Sequence, residues 1–166
     1  MSDTLPNNGS AAANPDLFDR LITRGSLSEN QRSQLTRLQS DALLTQAGAL
    51  RRSGLVAEDE LSSALTDLYG IAQVSDDEFE FVDIDIKGIS LKFLKASIVC
   101  PVAEDESEVH IAFAEPGDDF AHRALSQAFD KRVVARIATP SQIEKMIGRY
   151  YESSSSAMSD IVDALD

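Results

Sequence analysis

The hydrophobic period of this chain changes once, at Gly70, and that change limits the folds open to it. Before Gly70 the apolar residues recur at helical spacing. Leu17, Phe18, Leu21 and Ile22 form one stripe, Leu35, Leu38, Ala42, Leu43 and Leu50 a second, and Leu61, Ala64, Leu65 and Leu68 a third. After Gly70, short alternating or wholly apolar runs appear between turn residues, as strands require. A helical section followed by mixed strands and helices is an α+β chain.

The local signals refine this reading. Asn14 and Pro15 suit a helix start, and Gly25 suits its end as a left-handed cap. Ser28 with Glu29 and Gln31 opens a second helix that runs to Arg52, with one break near Gly48 and a stop at Gly54. A third helix spans 57–69, with Glu58, Asp59 and Glu60 in the first turn, where the helix dipole favours acids. Two copies of a Leu-x-x-x-Gly pattern, ending at Gly25 and Gly54, form a weak internal repeat. Beyond Gly70, residues 71–74 read as a short strand, 76–80 as an acidic solvated loop, and 81–86 as an alternating run with a phase slip. Residues 90–96 read as a short helix, and 98–103 and 109–114 as two strands joined by a polar hairpin loop. Residues 115–119 read as a turn running into a helix with Phe120, Ala124, Leu125, Ala128 and Phe129 inward. Residues 132–137 form a strand, and Thr139-Pro140 opens a last helix carrying Ile143, Met146, Ile147 and Tyr150. The expected organisation is a disordered lead-in over 1–14, a helical subdomain over 15–70, and a β-β-α-β-α mixed-sheet subdomain over 71–151. A linker over 152–166 follows, with Met158, Ile161, Val162 and Leu165 at amphipathic helical spacing. Phe93, Cys100, Val102, Ile111, Phe113, Phe120, Leu125, Val134 and Ile143 are the expected core.

Charge and composition exclude several functions. The 166 residues carry a formal net charge of −13, so the chain as a whole repels the phosphates that a nucleic-acid binder must neutralise. No apolar stretch reaches the roughly 20 residues of a membrane span. The first 14 residues have neither the basic nor the apolar region of a signal peptide, so a cytoplasmic location is expected. One cysteine and two separated histidines exclude a zinc site, and no metal site is expected. None of the eight glycines lies in a Gly-x-x-x-x-Gly-Lys-Ser/Thr phosphate loop. Asp83-x-Asp85-x-Lys87-Gly88 echoes a calcium loop, but Leu94 stands where the bidentate acid belongs. His110 and His122 have no nucleophile in reach of a recognisable pattern. No catalytic residue, cofactor or metal is therefore assigned, and the chain by itself is not read as an enzyme.

Several segments in one order do carry a resemblance. They are Glu60 to Ile71, Ile89 to Lys95, Val99 to Val102, Ile111 to Asp119, Val134 to Ile143 and Gly148 to Tyr151. Together they resemble the N-terminal domain of the ATPases that drive type II secretion, the general secretory pathway protein E family, with type IV pilus assembly ATPases as relatives. The resemblance implies a bacterial protein-transport role. It implies a docking module that binds the cytoplasmic domain of the inner-membrane protein GspL and reaches the membrane only through that partner. It also implies a hexameric parent ATPase whose Walker motifs, with their ATP and Mg, lie beyond residue 166, so that this chain is a fragment.

A related branch of the family uses the helical section to bind cyclic di-GMP, opening each of two repeats with Arg-Leu-Gly. Here those openings become Asp16-Leu17-Phe18 and Thr45-Gln46-Ala47. The cationic groups that would meet a phosphate are gone from them, which favours the protein-docking reading.

The charge is split unevenly. Residues 1–56 carry six basic and five acidic side chains, and the remainder nine basic and 23 acidic. The first part is therefore the expected docking side for an acidic partner. Arg20, Arg24, Arg32, Arg37, Arg51 and Arg52 are the candidate contacts, with Leu17, Phe18 and Leu27 as candidate apolar anchors.

Overall fold

The computed structural model describes residues 16–80, 88–150 and 152. They fall into two compact units, one ending at Leu68 and the other starting at Tyr69. The expectations that rest on residues 1–15, 81–87, 151 and 153–166 lie outside the described residues.

The first unit is helical. Helix α1, Leu17–Thr23, is capped by Asp16, whose carboxylate accepts from the Phe18 N–H at 2.8 Å. Asn14 and Pro15 thus precede the described helix. Gly25 follows α1 at φ +82°, a conformation that side chains with a Cβ rarely adopt. Helix α2, Glu29–Ala42, opens with a reciprocal box: Ser28 accepts from the Gln31 N–H, and the Gln31 side chain accepts from the Ser28 N–H. The break after α2 comes at Leu43 rather than near Gly48. Leu43 takes a left-handed conformation, φ +54°, and ends the helix. Thr45 then caps helix α3, Gln46–Ser53, by accepting from the Gly48 N–H at 3.0 Å, which places Gly48 inside the new helix. Helix α4, Glu58–Tyr69, buries Leu61, Ala64 and Leu65, with Leu68 only half-buried.

The second unit is built on a three-stranded mixed sheet. Strand β1, Val99–Glu104, pairs antiparallel with β2, Glu108–Phe113, with an irregularity between Pro101 and Ala103. Strand β3, Arg132–Ile137, pairs parallel with β2, Phe113 opposite Ile137. Before them lie α5, Asp76–Glu80, and α6, Leu91–Ser97, the latter capped by Ser90. Between β2 and β3 lies α7, Asp119–Phe129, capped by Asp118. Residues 140–150 form α8. The result is an α+β chain: helices first, then a small mixed sheet with helices.

Three readings are corrected here. Residues 71–74 make only one isolated bridge, Gln73 to Ile137, rather than a strand. The acidic stretch 76–80 is a short helix, because Ser75 and Glu78 close its start: the Glu78 carboxylate accepts from both the N–H and the hydroxyl of Ser75. The buried stripe of α7 is Ala121, Leu125 and Phe129: Leu125 and Phe129 are inward as expected, while Ala121 is buried in place of Phe120, Ala124 and Ala128. Phe120 therefore stands 67% exposed, tilted against half-buried Phe93 at 6.4 Å between ring centres, while Ala124 is half-buried and Ala128 exposed.

The core of this unit gathers Leu94, Val99, Cys100, Val102, Val109, Ile111, Phe113, Leu125, Ile143 and Ile147. Val134 is only half-buried, since it alternates with Val133 and Ala135, which pack toward that core. At the turn after β2, a Cβ on Gly117 would come within 2.8 Å of the Tyr69 hydroxyl, so the exposed tyrosine side chain would have to shift to admit it.

Candidate functional site

The six arginines of the helical unit do not form one free basic surface. Arg24, just past the end of α1, reaches α4: one guanidinium nitrogen donates to Glu60 (3.3 Å) and Ser63 (3.2 Å), and another to Asp67. The Ser26 hydroxyl donates to the same Glu60 carboxylate at 2.7 Å. These bonds, Ser26 first and then Arg24, hold the Glu60 carboxyl below its ordinary range. Arg32 on α2 pairs with Asp19 and Asp16, tying α2 to the start of α1. Both arginines are thus engaged within their own unit.

Arg20 and Arg51 are half-buried. Among the described residues, Arg20 Nε and Arg51 Nη1 are buried without a hydrogen-bond partner. Arg37 on α2 and Arg52 on α3 are exposed, and among the described residues neither makes a salt bridge. These two are the arginines free to meet a carboxylate.

The expected anchors are corrected by their burial. Leu17, Phe18 and Leu27 are at most 4% exposed. Positions 17, 18 and 21 of α1 point inward together, so a partner reaches none of them without opening the fold. Among the described residues, the exposed large apolar residues of this unit are Leu43, at 92%, and Leu55, at 38%. Sequence reasoning missed both. Leu43 continues the helical spacing of α2 and so reads as buried stripe. The available signal was Thr45, a favoured N-cap residue, which moves the helix start and leaves Leu43 in the turn.

The two repeat openings are occupied by internal bonds. Asp16 caps α1 and pairs with Arg32. Thr45 caps α3, and the Gln46 side chain accepts from the Leu17 N–H at 3.0 Å, joining the openings to each other.

The histidines and the cysteine of the second unit lie among packed or paired residues. His122 stacks on buried Phe113 at 4.3 Å between ring centres, with Nε2 3.0 Å from the Pro116 carbonyl oxygen. His110 lies 3.6 Å from Glu108. Burial pushes the Cys100 thiol well up, away from the nucleophilic thiolate. Among the described residues no group of three or more His, Cys, Asp or Glu side chains is placed to hold a metal ion. No helix there is long and apolar enough to cross a membrane.

The family of MshEN domains matches residues 69–157. The chain is 28% identical over 160 residues to type II secretion system protein E of Xanthomonas campestris pv. campestris, covering 93% of this chain and 28% of that protein. It is 25% identical over 114 residues to the type IV pilus assembly ATPase PilB of Myxococcus xanthus, covering 69% of this chain and 20% of PilB. The chain therefore spans about a quarter of the length of these relatives. Its fold is similar to the solved N-terminal domain of XpsE, with a TM-score of 0.69 and 23% identity over 90% of this chain and 98% of that one. MshE solved with cdg gives a TM-score of 0.62 at 23% identity, over 82% of this chain and 99% of that one.

Proposed function

Because the chain belongs to the MshEN domain family, we propose that it is the N-terminal docking module of a type II secretion ATPase, joining that ATPase to the inner-membrane platform by binding the cytoplasmic domain of GspL. The observation that carries this reading is the match to type II secretion system protein E, which runs through both units of the chain. In this reading the module has no ATP chemistry of its own. The Walker motifs, ATP, Mg and hexameric ring belong to the longer parent, and the protein sits at the cytoplasmic face of the inner membrane through its partner.

The docking face we assign lies on the helical unit. Arg37 and Arg52 supply cationic forks for acidic groups of the partner, and Leu43 and Leu55 supply the apolar contacts. Paired charges speed the encounter, while affinity rests on apolar area taken from water at the centre of the contact. A 92%-exposed leucine in a left-handed turn forgoes burial and adopts a backbone conformation disfavoured by about 1–2 kcal/mol for a residue with a Cβ. A partner surface would recover the burial.

A pull-down with the cytoplasmic domain of GspL tests the reading. Capture by the native chain, lost when Arg37→Glu and Leu43→Asp are combined, supports it. Equal capture by both chains removes the face, and no capture at all removes the partner.

The second reading is a cyclic di-GMP sensor, favoured by the likeness to MshE solved with cdg. Against it, both repeat openings lack arginine and are spent on internal bonds. Calorimetric titration of cyclic di-GMP separates the two: a saturable heat at micromolar ligand favours the sensor.

A further inference from the structure

The second unit carries a groove that its described elements leave open. Lys95 and Ile98, from the end of α6, face Pro140, Ile143, Glu144 and Ile147 of α8 across a cleft of about 240 Å³. The floor is aliphatic. Ile143 and Ile147 belong to the core and show only an edge here, while Lys95 and Glu144 form the charged rims. The cleft is larger than the roughly 150 Å³ that admits a benzene ring in a dry cavity, so it has room for one or two aliphatic side chains.

We propose that the occupant is the chain's own segment 158–165, folded back along α8. Met158, Ile161, Val162 and Leu165 stand at i, i+3, i+4 and i+7, an apolar stripe with no partner within the segment. Eight residues are too few to hold a helix alone in water, where about 12–15 are marginal, so this stripe needs a surface to form on. The groove is within reach. Helix α8 is the last described element before the segment, and Ser153–Ala157 contributes five small residues. Five residues span up to about 17 Å, enough to reverse direction at the end of α8. As a helix the eight residues 158–165 measure about 12 Å, the same as residues 140–147 of α8.

Charge adds a weaker preference. At 100° per residue Asp160 and Asp163 fall on the face opposite the stripe and point to solvent, and Asp166 borders it. Lys95 is the cationic rim of the groove and Glu144 the anionic one, so Asp166 favours the Lys95 side. Docked this way, the segment fixes the direction in which the chain leaves the second unit. The inference is independent of the GspL reading, since it concerns only this chain and a different unit.

Hydrogen–deuterium exchange of the whole chain tests it. The native chain is compared with Ile161→Asp/Leu165→Asp, which alters no described residue, and with Lys95→Glu on the groove. Amides 158–165 are expected to exchange about tenfold more slowly in the native chain than in the tail variant, at any protein concentration. Lys95→Glu should lose part of that protection. Residues 95–98 and 140–147 should exchange faster in the tail variant, whose circular dichroism stays native. Equal exchange of the tail in native and variant chains overturns the proposal. Tail protection without a change at the groove places the tail elsewhere and also overturns it. Protection that rises with concentration, together with a dimer in sedimentation, makes a second copy the occupant. Protection of the groove only on adding GspL makes it a partner site. Both of these outcomes contradict the self-docked segment.

Discussion

Replacing Phe113 by alanine tests the core of the second unit where the structure is most explicit. Phe113 is fully buried on β2, in register with Val99 on β1 and Ile137 on β3, and the His122 ring stacks on it at 4.3 Å. An aromatic side chain buries roughly 150–250 Å², worth about 4–6 kcal/mol at 25 cal/mol per Å². Alanine keeps only the Cβ share, and the void left between two strands and α7 cannot collapse freely. Phe→Ala changes at such sites cost about 3–5 kcal/mol, and the lost ring stack places this one toward the upper half. That is a large share of the roughly 5–15 kcal/mol available to a folded domain. Urea unfolding followed by far-ultraviolet circular dichroism measures it, since the chain has no tryptophan to report by fluorescence. Phe120→Ala is the matched control. Phe120 is 67% exposed, with its ring tilted against Phe93, so its loss should stay under about 1 kcal/mol. Equal costs at the two positions, or a Phe113→Ala cost below about 1 kcal/mol, would refute the inward assignment of Phe113 and the phase of α7.

Three further outcomes are expected. Glu78 is held below its ordinary value of 4.5, first by the Arg136 guanidinium and then by the Ser75 N–H. Its contribution is therefore present above that value and lost as pH falls through the lower folded one, so urea midpoints of native protein and Glu78→Gln should converge as the pH is taken down below 4.5. Arg24→Ala, which unties Glu60, Ser63 and Asp67, should lower stability by about 1 kcal/mol in low salt and by less in 1 M NaCl, as partly exposed pairs do. The fully buried, protonated Cys100 thiol should stay inert to Ellman's reagent at neutral pH in the native protein and react at once in denaturant.

The parts of the fold that were legible in the sequence are those marked by residues with one strong backbone preference. Gly25 and Gly54 end helices at positive φ, Ser28 with Gln31 starts one, and β3 lies between a left-handed Asp130 and the Thr139-Pro140 helix start. Where no such residue stands, the reading slipped. Leu43 ends α2 in a left-handed turn that leucine does not advertise. Phe120 fits either of two adjacent helix phases by hydrophobicity alone, and only the packing of Ala121, Leu125 and Phe129 decides between them. The short helix 76–80 depends on one Glu78–Ser75 contact within an acidic run that otherwise reads as solvated loop. The site was less legible than the fold. Leu17, Phe18 and Leu27 are apolar residues near arginines, but the same apolar character that suits an anchor buries all three in the core of their own unit. Which arginines are free was equally hidden: Arg24 finds partners 36 and 43 residues away, and Arg32 finds its own across a turn.

Docking of the helical unit on the secretion platform is tested most directly by nuclear magnetic resonance of the isotope-labelled chain during titration with the cytoplasmic domain of GspL. The account predicts that amide shifts and line broadening concentrate around Arg37, Leu43, Arg52 and Leu55, and that Arg37→Glu with Arg52→Glu abolishes them while the native spectrum of the free chain is kept. A footprint confined to residues 69–150, with residues 16–68 unmoved, would contradict it.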